Sequence, residues 1–171
     1  KSIFMIPQML YEQGLVDVVF KKFTKVGYTN TSKNWDDWNT IVNSLQKTDD
    51  VIKIAMVGKY VTLVDSYVSV NEALKHSSAS IGRSVNIEWI DSETLNGNLE
   101  RLDNFDGLLV PGGFGIRGSE GIIDTATYAL EKNIPYLGIC FGFQLAAVAF
   151  GRKMCNLENA NSTEIVSDTT N

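Results

Sequence analysis

From residue 51 onward, short apolar runs alternate with longer stretches whose apolar residues recur at helical spacing. VIKIAMV, SVNIEWI, FDGLLV and IPYLGI read as strands, whereas SYVSVNEALKHSSASIG, SEGIIDTATYALEKN and GFQLAAVAFG read as helices. The first of these helices has Asp65 or Ser66 as its N-cap and closes near Gly82. Such alternation predicts an α/β fold, a mostly parallel sheet covered by helices on both faces. Sites in such sheets lie outside the carboxyl ends of the strands. Two of those ends are chemically distinctive here, PGGFGIRGSEG and GICFG.

Residues 1–50 carry a different pattern. MIPQMLYEQG predicts a helix that opens just after Pro7 and is closed by Gly14, and LVDVVFKKF predicts a second amphipathic helix. After a polar GYTNTSKN linker, Trp35, Trp38, Ile41, Val42 and Leu45 recur at helical spacing. So small a helical group has little core of its own and is expected to dock on something larger. The chain therefore divides into a helical segment, 1–50, and an α/β domain, 51–171.

Composition narrows the function classes. Of 171 residues 44% are hydrophobic and 20% charged, enough apolar material for a sizeable core. Fifteen basic against twenty acidic residues leave a net charge of −5, which argues against a general nucleic-acid or anionic-membrane surface. Cys140 and Cys155 form neither a CxxC pair nor a disulfide framework, which favours a reducing, cytoplasmic setting. No apolar run approaches the roughly 18 residues of a membrane span, and no signal peptide opens the chain. It starts at Lys1, as expected of a stretch that begins inside a longer polypeptide.

Two glycine motifs resemble nucleotide sites but lack their partners. Gly113, Gly115 and Gly118 match GxGxxG between a strand and a helix, yet the next strand ends in a cysteine where the dinucleotide fingerprint needs an acidic residue. VGKYV has the Gly-Lys pair of a phosphate loop without its earlier Gly or its Ser/Thr.

Gly138-Ile139-Cys140-Phe141-Gly142 is a nucleophile between small residues at a strand-to-helix junction, the elbow known with serine as GxSxG. Small neighbours are needed because the nucleophile's backbone is strained and strand and helix approach closely. The thiol is placed at a helix N-terminus, where free N–H groups and the positive dipole end favour an anion. The N–H of Phe141 points where an oxyanion would form. A lone cysteine is more often a small buried residue; the flanking glycines reverse that reading for Cys140, whereas Cys155 lacks the context and reads as structural.

GICFGFQ resembles the G-x-C-x-G-x-Q nucleophile motif of class I glutamine amidotransferases, and LLVPGGFG resembles their oxyanion-strand loop. VGKY, DSYVSVNEALKHS, IPYLGICFGFQLA and ENANSTE extend the resemblance over nearly the whole chain, with IPQMLYEQGL similar to the tail of a preceding synthase domain. Phe141 and Phe143 stand where the family more often has Leu and Met, which implies a repacked glutamine pocket. The resemblance implies hydrolysis of L-glutamine through a Cys140 thioester, with Gly112, Gly113 and Phe141 forming the oxyanion hole. It places glutamine against Gly113, Phe141, Gly142, Phe143, Gln144 and Glu164, although Glu164 alone would read as a solvated residue at a strand start.

The ammonia would serve an ATP-dependent conversion of UTP to CTP by the synthase domain of the same polypeptide. ATP and Mg2+ would bind there, with GTP as effector, in a homo-oligomer, tetrameric by resemblance. No metal site is expected in this stretch. Two other readings share these residues: a hydrolase or redox sensor built on the same cysteine elbow, and a non-catalytic assembly module. A cysteine of this type also needs a base, normally His. The sole histidine, His76, falls about ten residues into its helix, roughly 15 Å from the carboxyl edge. The family's His and Glu come beyond ANSTE, and the chain reaches Asn171 without such a motif, so 1–171 alone is expected to be inactive.

Overall fold

The apolar runs pair side by side in a computed structural model, which describes residues 3–23, 34–45, 49–61, 64–95 and 97–166. Strands β1 (Val51–Gly58), β2 (Ser84–Asp91), β3 (Gly107–Val110) and β4 (Tyr136–Gly138) form one sheet in the order β2-β1-β3-β4. Every pairing is parallel, with Ile54 opposite Ile87, Ala55 opposite Leu108 and Leu109 opposite Leu137. The helices are α1 (Ile6–Glu12), α2 (Leu15–Phe23), α3 (Asp36–Ser44), α4 (Val68–Ser80), α5 (Ser119–Lys132) and α6 (Phe141–Met154).

Strand alternation sorts the core into two layers. Ala55, Val57, Leu108 and Val110 meet Ile122, Ala126, Phe141 and Leu145 of α5 and α6. Met56 and Leu109 face the other way, against Tyr67, Val70 and Leu74 in and before α4. The sheet is thus covered on both faces, as the pattern predicts, and each fully buried Leu or Ile contributes about 1.5–3 kcal/mol. The strand and helix assignments hold to within a few residues.

The start of α4 differs. A 3-10 turn covers Val64–Tyr67 and the helix opens only at Val68, so neither Asp65 nor Ser66 is its cap; Tyr67 takes that position with no side-chain cap bond. Its ring instead stacks on Trp89 of β2, centroids 5.5 Å apart, so tertiary packing displaces local capping. Pro7 lies inside the first turn of α1 rather than before it, where its fixed φ is tolerated. Gly14 follows at φ 80 and closes that helix as expected.

The N-terminal helices rest on α4. The Trp38 indole N–H donates to the Phe4 carbonyl at 2.8 Å, and the Phe4 ring meets His76 edge-on at 5.6 Å. Most of the GYTNTSKN linker and the final SDTTN lie outside the described residues. No helix among the described residues is long and apolar enough to cross a membrane.

Candidate active site

The carboxyl ends of β3 and β4 lie side by side. The Ile139 N–H donates to the Val110 carbonyl at 2.9 Å, and the chain then turns at Cys140, whose φ of 53° and ψ of −109° few non-glycine residues adopt. The Cys140 carbonyl accepts the N–H groups of Phe143 and Gln144, each at 3.1 Å, which starts α6 immediately after the turn. The thiol makes no cap bond, and the residue is exposed. Glycines allow this turn by close approach. A Cβ on Gly138 would lie 2.6 Å from the Gly142 carbonyl carbon, and one on Gly142 would lie 2.9 Å from that of Val110. The Tyr136 hydroxyl donates to the Gly142 carbonyl at 3.0 Å, and burial holds this phenol above its ordinary pKa.

The loop between β3 and α5 forms the facing wall. A Cβ on Gly112 would be 3.7 Å from Cβ of Cys140, and one on Gly113 would be 3.7 Å from the Phe141 ring. The loop bends at Gly115 and Gly118, with φ of 77° and 67°, so positive φ falls on these two and not on the Gly112–Gly113 pair. Among the described residues the N–H groups of Gly113 and Phe141 have no hydrogen-bond acceptor.

Lys59, the residue after β1, holds this loop from below. It is 6% exposed, and its ammonium donates to the carbonyls of Phe114, at 3.1 Å, and Gly115. Burial, then the charge of Arg117, pulls its pKa below the ordinary lysine value, with Glu93 opposing. On the other side the Tyr67 hydroxyl reaches the Gly112 carbonyl at 3.4 Å.

Gln144 and Glu164 come together. The Gln144 side-chain Nε2 donates to the Glu164 carboxylate at 3.2 Å, and Ser162 Oγ donates to Gln144 Oε1 at 3.3 Å. Glu164 sits in an exposed turn, not at a strand start. Arg152 anchors this segment through the Ala160 carbonyl at 2.8 Å and Glu120 at 2.8 Å.

Phe141 and Phe143 part company. The Phe141 side chain is fully buried, whereas that of Phe143 is 66% exposed and lines an apolar groove of about 550 Å³ between α5 and α6 with Ala126, Leu130 and Phe150. Its backbone N–H is what Phe143 donates to the Cys140 carbonyl of the turn. Cys155 is exposed at the C-terminal end of α6. His76 packs on Phe4. No group of three His, Cys, Asp or Glu among the described residues could hold a metal ion. Sequence reasoning passed over Lys59, Tyr67, Tyr136 and Ser162. The position of Lys59 at a strand's carboxyl end, and of Ser162 inside ANSTE, were the available signals.

A parallel sheet with a glycine-flanked cysteine and a facing glycine loop at its carboxyl edge has the layout of a nucleophile-elbow protein, and the chain belongs to the class I glutamine amidotransferases, whose family model matches residues 62–169. Among its relatives is a CTP synthase of Methanopyrus kandleri, 42% identical over 98% of this chain and 31% of the relative. The chain thus spans about a third of the length of this curated relative. A solved structure, the glutaminase domain of Trypanosoma brucei CTPS with bound acivicin, superposes with a TM-score of 0.65 at 35% identity, covering 70% of this chain and 47% of that one.

Proposed function

We propose that this chain is the glutamine-hydrolysing part of a CTP synthase, releasing ammonia for the ATP-dependent conversion of UTP to CTP. The observation that carries the reading is the exposed Cys140 on its strained turn, beside two N–H groups that have no acceptor among the described residues. The names of the relatives supply the substrate, acivicin being a glutamine analogue.

In this mechanism the Cys140 thiolate adds to the side-chain amide carbon of glutamine. The Gly113 and Phe141 N–H groups, with Gly112 shaping the loop, stabilise the resulting oxyanion. Collapse expels the amide nitrogen, which takes a proton and leaves as ammonia, and a glutamyl thioester remains. Water then adds to the thioester, releasing glutamate and the thiol. Gln144 and Glu164 hold the amino-acid end of the substrate, a carboxylate suiting an ammonium. Gly142 and the backbone of Phe143 set the floor of the pocket.

Residues 1–50 serve as the tail of the synthase domain and its linker, and residues 51–171 as amidotransferase domain. ATP, Mg2+ and UTP belong to the synthase domain, and GTP acts as effector. The enzyme works in the cytoplasm as a homo-oligomer, a tetramer. His76, the sole histidine of the sequence, is not taken as the base of Cys140, because its ring packs edge-on against Phe4.

Labelling tests the reading. In the longer polypeptide a glutamine-like electrophile adds one adduct at Cys140, and Cys140→Ala abolishes adduct and glutaminase while sparing ammonia-dependent synthesis. Labelling at Cys155 with Cys140 untouched would overturn it. Residues 1–171 alone turn over no glutamine; turnover that vanishes with His76→Ala would show the base to be misplaced.

A further inference from the structure

We propose that Lys59 is a positioning residue for glutamine hydrolysis: by gripping the Gly112–Gly118 loop and the Phe141 ring together, it holds the two oxyanion donors in one register. The inference rests on the glutaminase reading.

The two donors sit on separate elements, the Gly113 N–H on the β3–α5 loop and the Phe141 N–H at the start of α6. Lys59 touches both. Its ammonium lies 4.4 Å from the centroid of the Phe141 ring, a cation–π distance, while donating to the carbonyls of Phe114 and Gly115. Its stem runs under the loop: Cβ atoms on Gly113 and Gly118 would lie 3.8 Å from Lys59 Cδ and 3.7 Å from Cγ. The grip is reciprocal, because Arg117 of the loop donates to the Lys59 carbonyl at 3.3 Å.

A buried ammonium is costly unless its donors are satisfied, and the usual partner is a carboxylate. Among the described residues Lys59 has no ion-pair partner within salt-bridge distance; Glu93 pairs with Arg117 at 3.5 Å. Its charge is spent instead on loop carbonyls and an aromatic face. A lysine serving only to fill space would leave its ammonium in water, as long cationic side chains commonly do. Tyr67 completes the hold. The Gly112 carbonyl and the Gly113 N–H share one peptide plane and point in opposite directions, so a hydroxyl on the carbonyl side turns the N–H away from Tyr67.

The test compares Lys59→Met, which keeps the stem and removes the charge, with wild type and Lys59→Arg in the longer polypeptide. The expected result is a glutaminase kcat lowered about 10- to 100-fold, the scale of a misplaced oxyanion donor. The KM for glutamine, ammonia-dependent synthesis and Cys140 alkylation by iodoacetamide, a displacement that forms no oxyanion, stay within about threefold of wild type. Lys59→Arg recovers part of kcat. Should Lys59→Met not fold, Lys59→Gln takes its place under the same criteria. An unchanged kcat in a folded variant, or kcat and alkylation falling together, overturns the inference. Glutaminase activity that survives Cys140→Ala sinks the underlying reading instead, so the two failures are distinguishable.

Discussion

Gly142→Ala probes the packing that makes the cysteine turn possible. An added Cβ would sit 2.8 Å from Val110 Cγ1, 2.9 Å from the Val110 carbonyl carbon and closer still to the carbonyl oxygen. Carbon contacts are optimal near 3.5–4.0 Å, so α6 must retreat from β3 by about 1 Å. The obstacle is strand backbone, which cannot rotate aside. Overpacking costs about 1–3 kcal/mol, and a clash with backbone belongs at the upper end, against about 1 kcal/mol gained from alanine's helix propensity. The net loss is about 2 kcal/mol, or a Tm lowered by about 4–8 °C for a domain of this size.

Gly151→Ala in the same helix is the control. Its Cβ would meet Ala160 Cβ at an ordinary 3.4 Å, so this variant is neutral or slightly stabilised. The retreat of α6 also moves the Phe141 N–H, and a 1 Å misplacement costs about 100-fold in rate. Thermal unfolding of both variants and glutaminase kcat in the longer polypeptide check the two arms. A Gly142→Ala protein as stable and as active as the control would refute the packing argument.

Glu164→Ala raises the KM for glutamine about 10- to 100-fold, the worth of a charge-assisted hydrogen bond, and leaves the use of free ammonia unchanged; equal effects on both would count against substrate contact. Tyr136→Phe removes the donor to the Gly142 carbonyl and costs about 1 kcal/mol. Burial raises the folded-state pKa of Tyr136 above 10.0, so its stability is present below pH 10.0 and lost as pH rises through the folded value. Alkaline unfolding of Tyr136→Phe is correspondingly less steep, and identical profiles would show that Tyr136 does not titrate there.

Strand segments buried on both faces write themselves as continuous apolar runs, which is why GLLV and the second half of VIKIAMV, buried from Ala55 on, were legible. The start of α4 was not, because Asp65 and Ser66 offer good caps while the stacking of Tyr67 on Trp89 is a contact between distant residues. Phe141 and Phe143 look alike in sequence, yet two residues along a helix turn them about 200° apart, one into the core and one into the α5–α6 groove. The cysteine turn was legible because its glycines are local. Lys59 was not, because nothing in VGKYV tells that a loop 55 residues later folds over it.

The turn at Cys140 also carries its own measurable strain. A non-glycine residue at φ 53° and ψ −109° costs about 1–3 kcal/mol and persists only where neighbours over-determine it. Here Ile139 is tied to Val110 on one side, and on the other the Cys140 carbonyl takes two N–H groups of α6. Relaxing φ would turn that carbonyl away, losing both bonds and unwinding the first turn of the helix. The thiol is therefore held out by backbone rather than by side-chain partners, and the strain belongs to position 140 whatever its side chain. Glycine, without a Cβ, adopts positive φ at little cost. Cys140→Gly is accordingly more stable than Cys140→Ala by about 1 kcal/mol in denaturant unfolding, against the usual order in which glycine loses through its unfolded-state entropy. If the alanine variant proves the more stable, the cysteine backbone is not strained and the elbow needs another explanation.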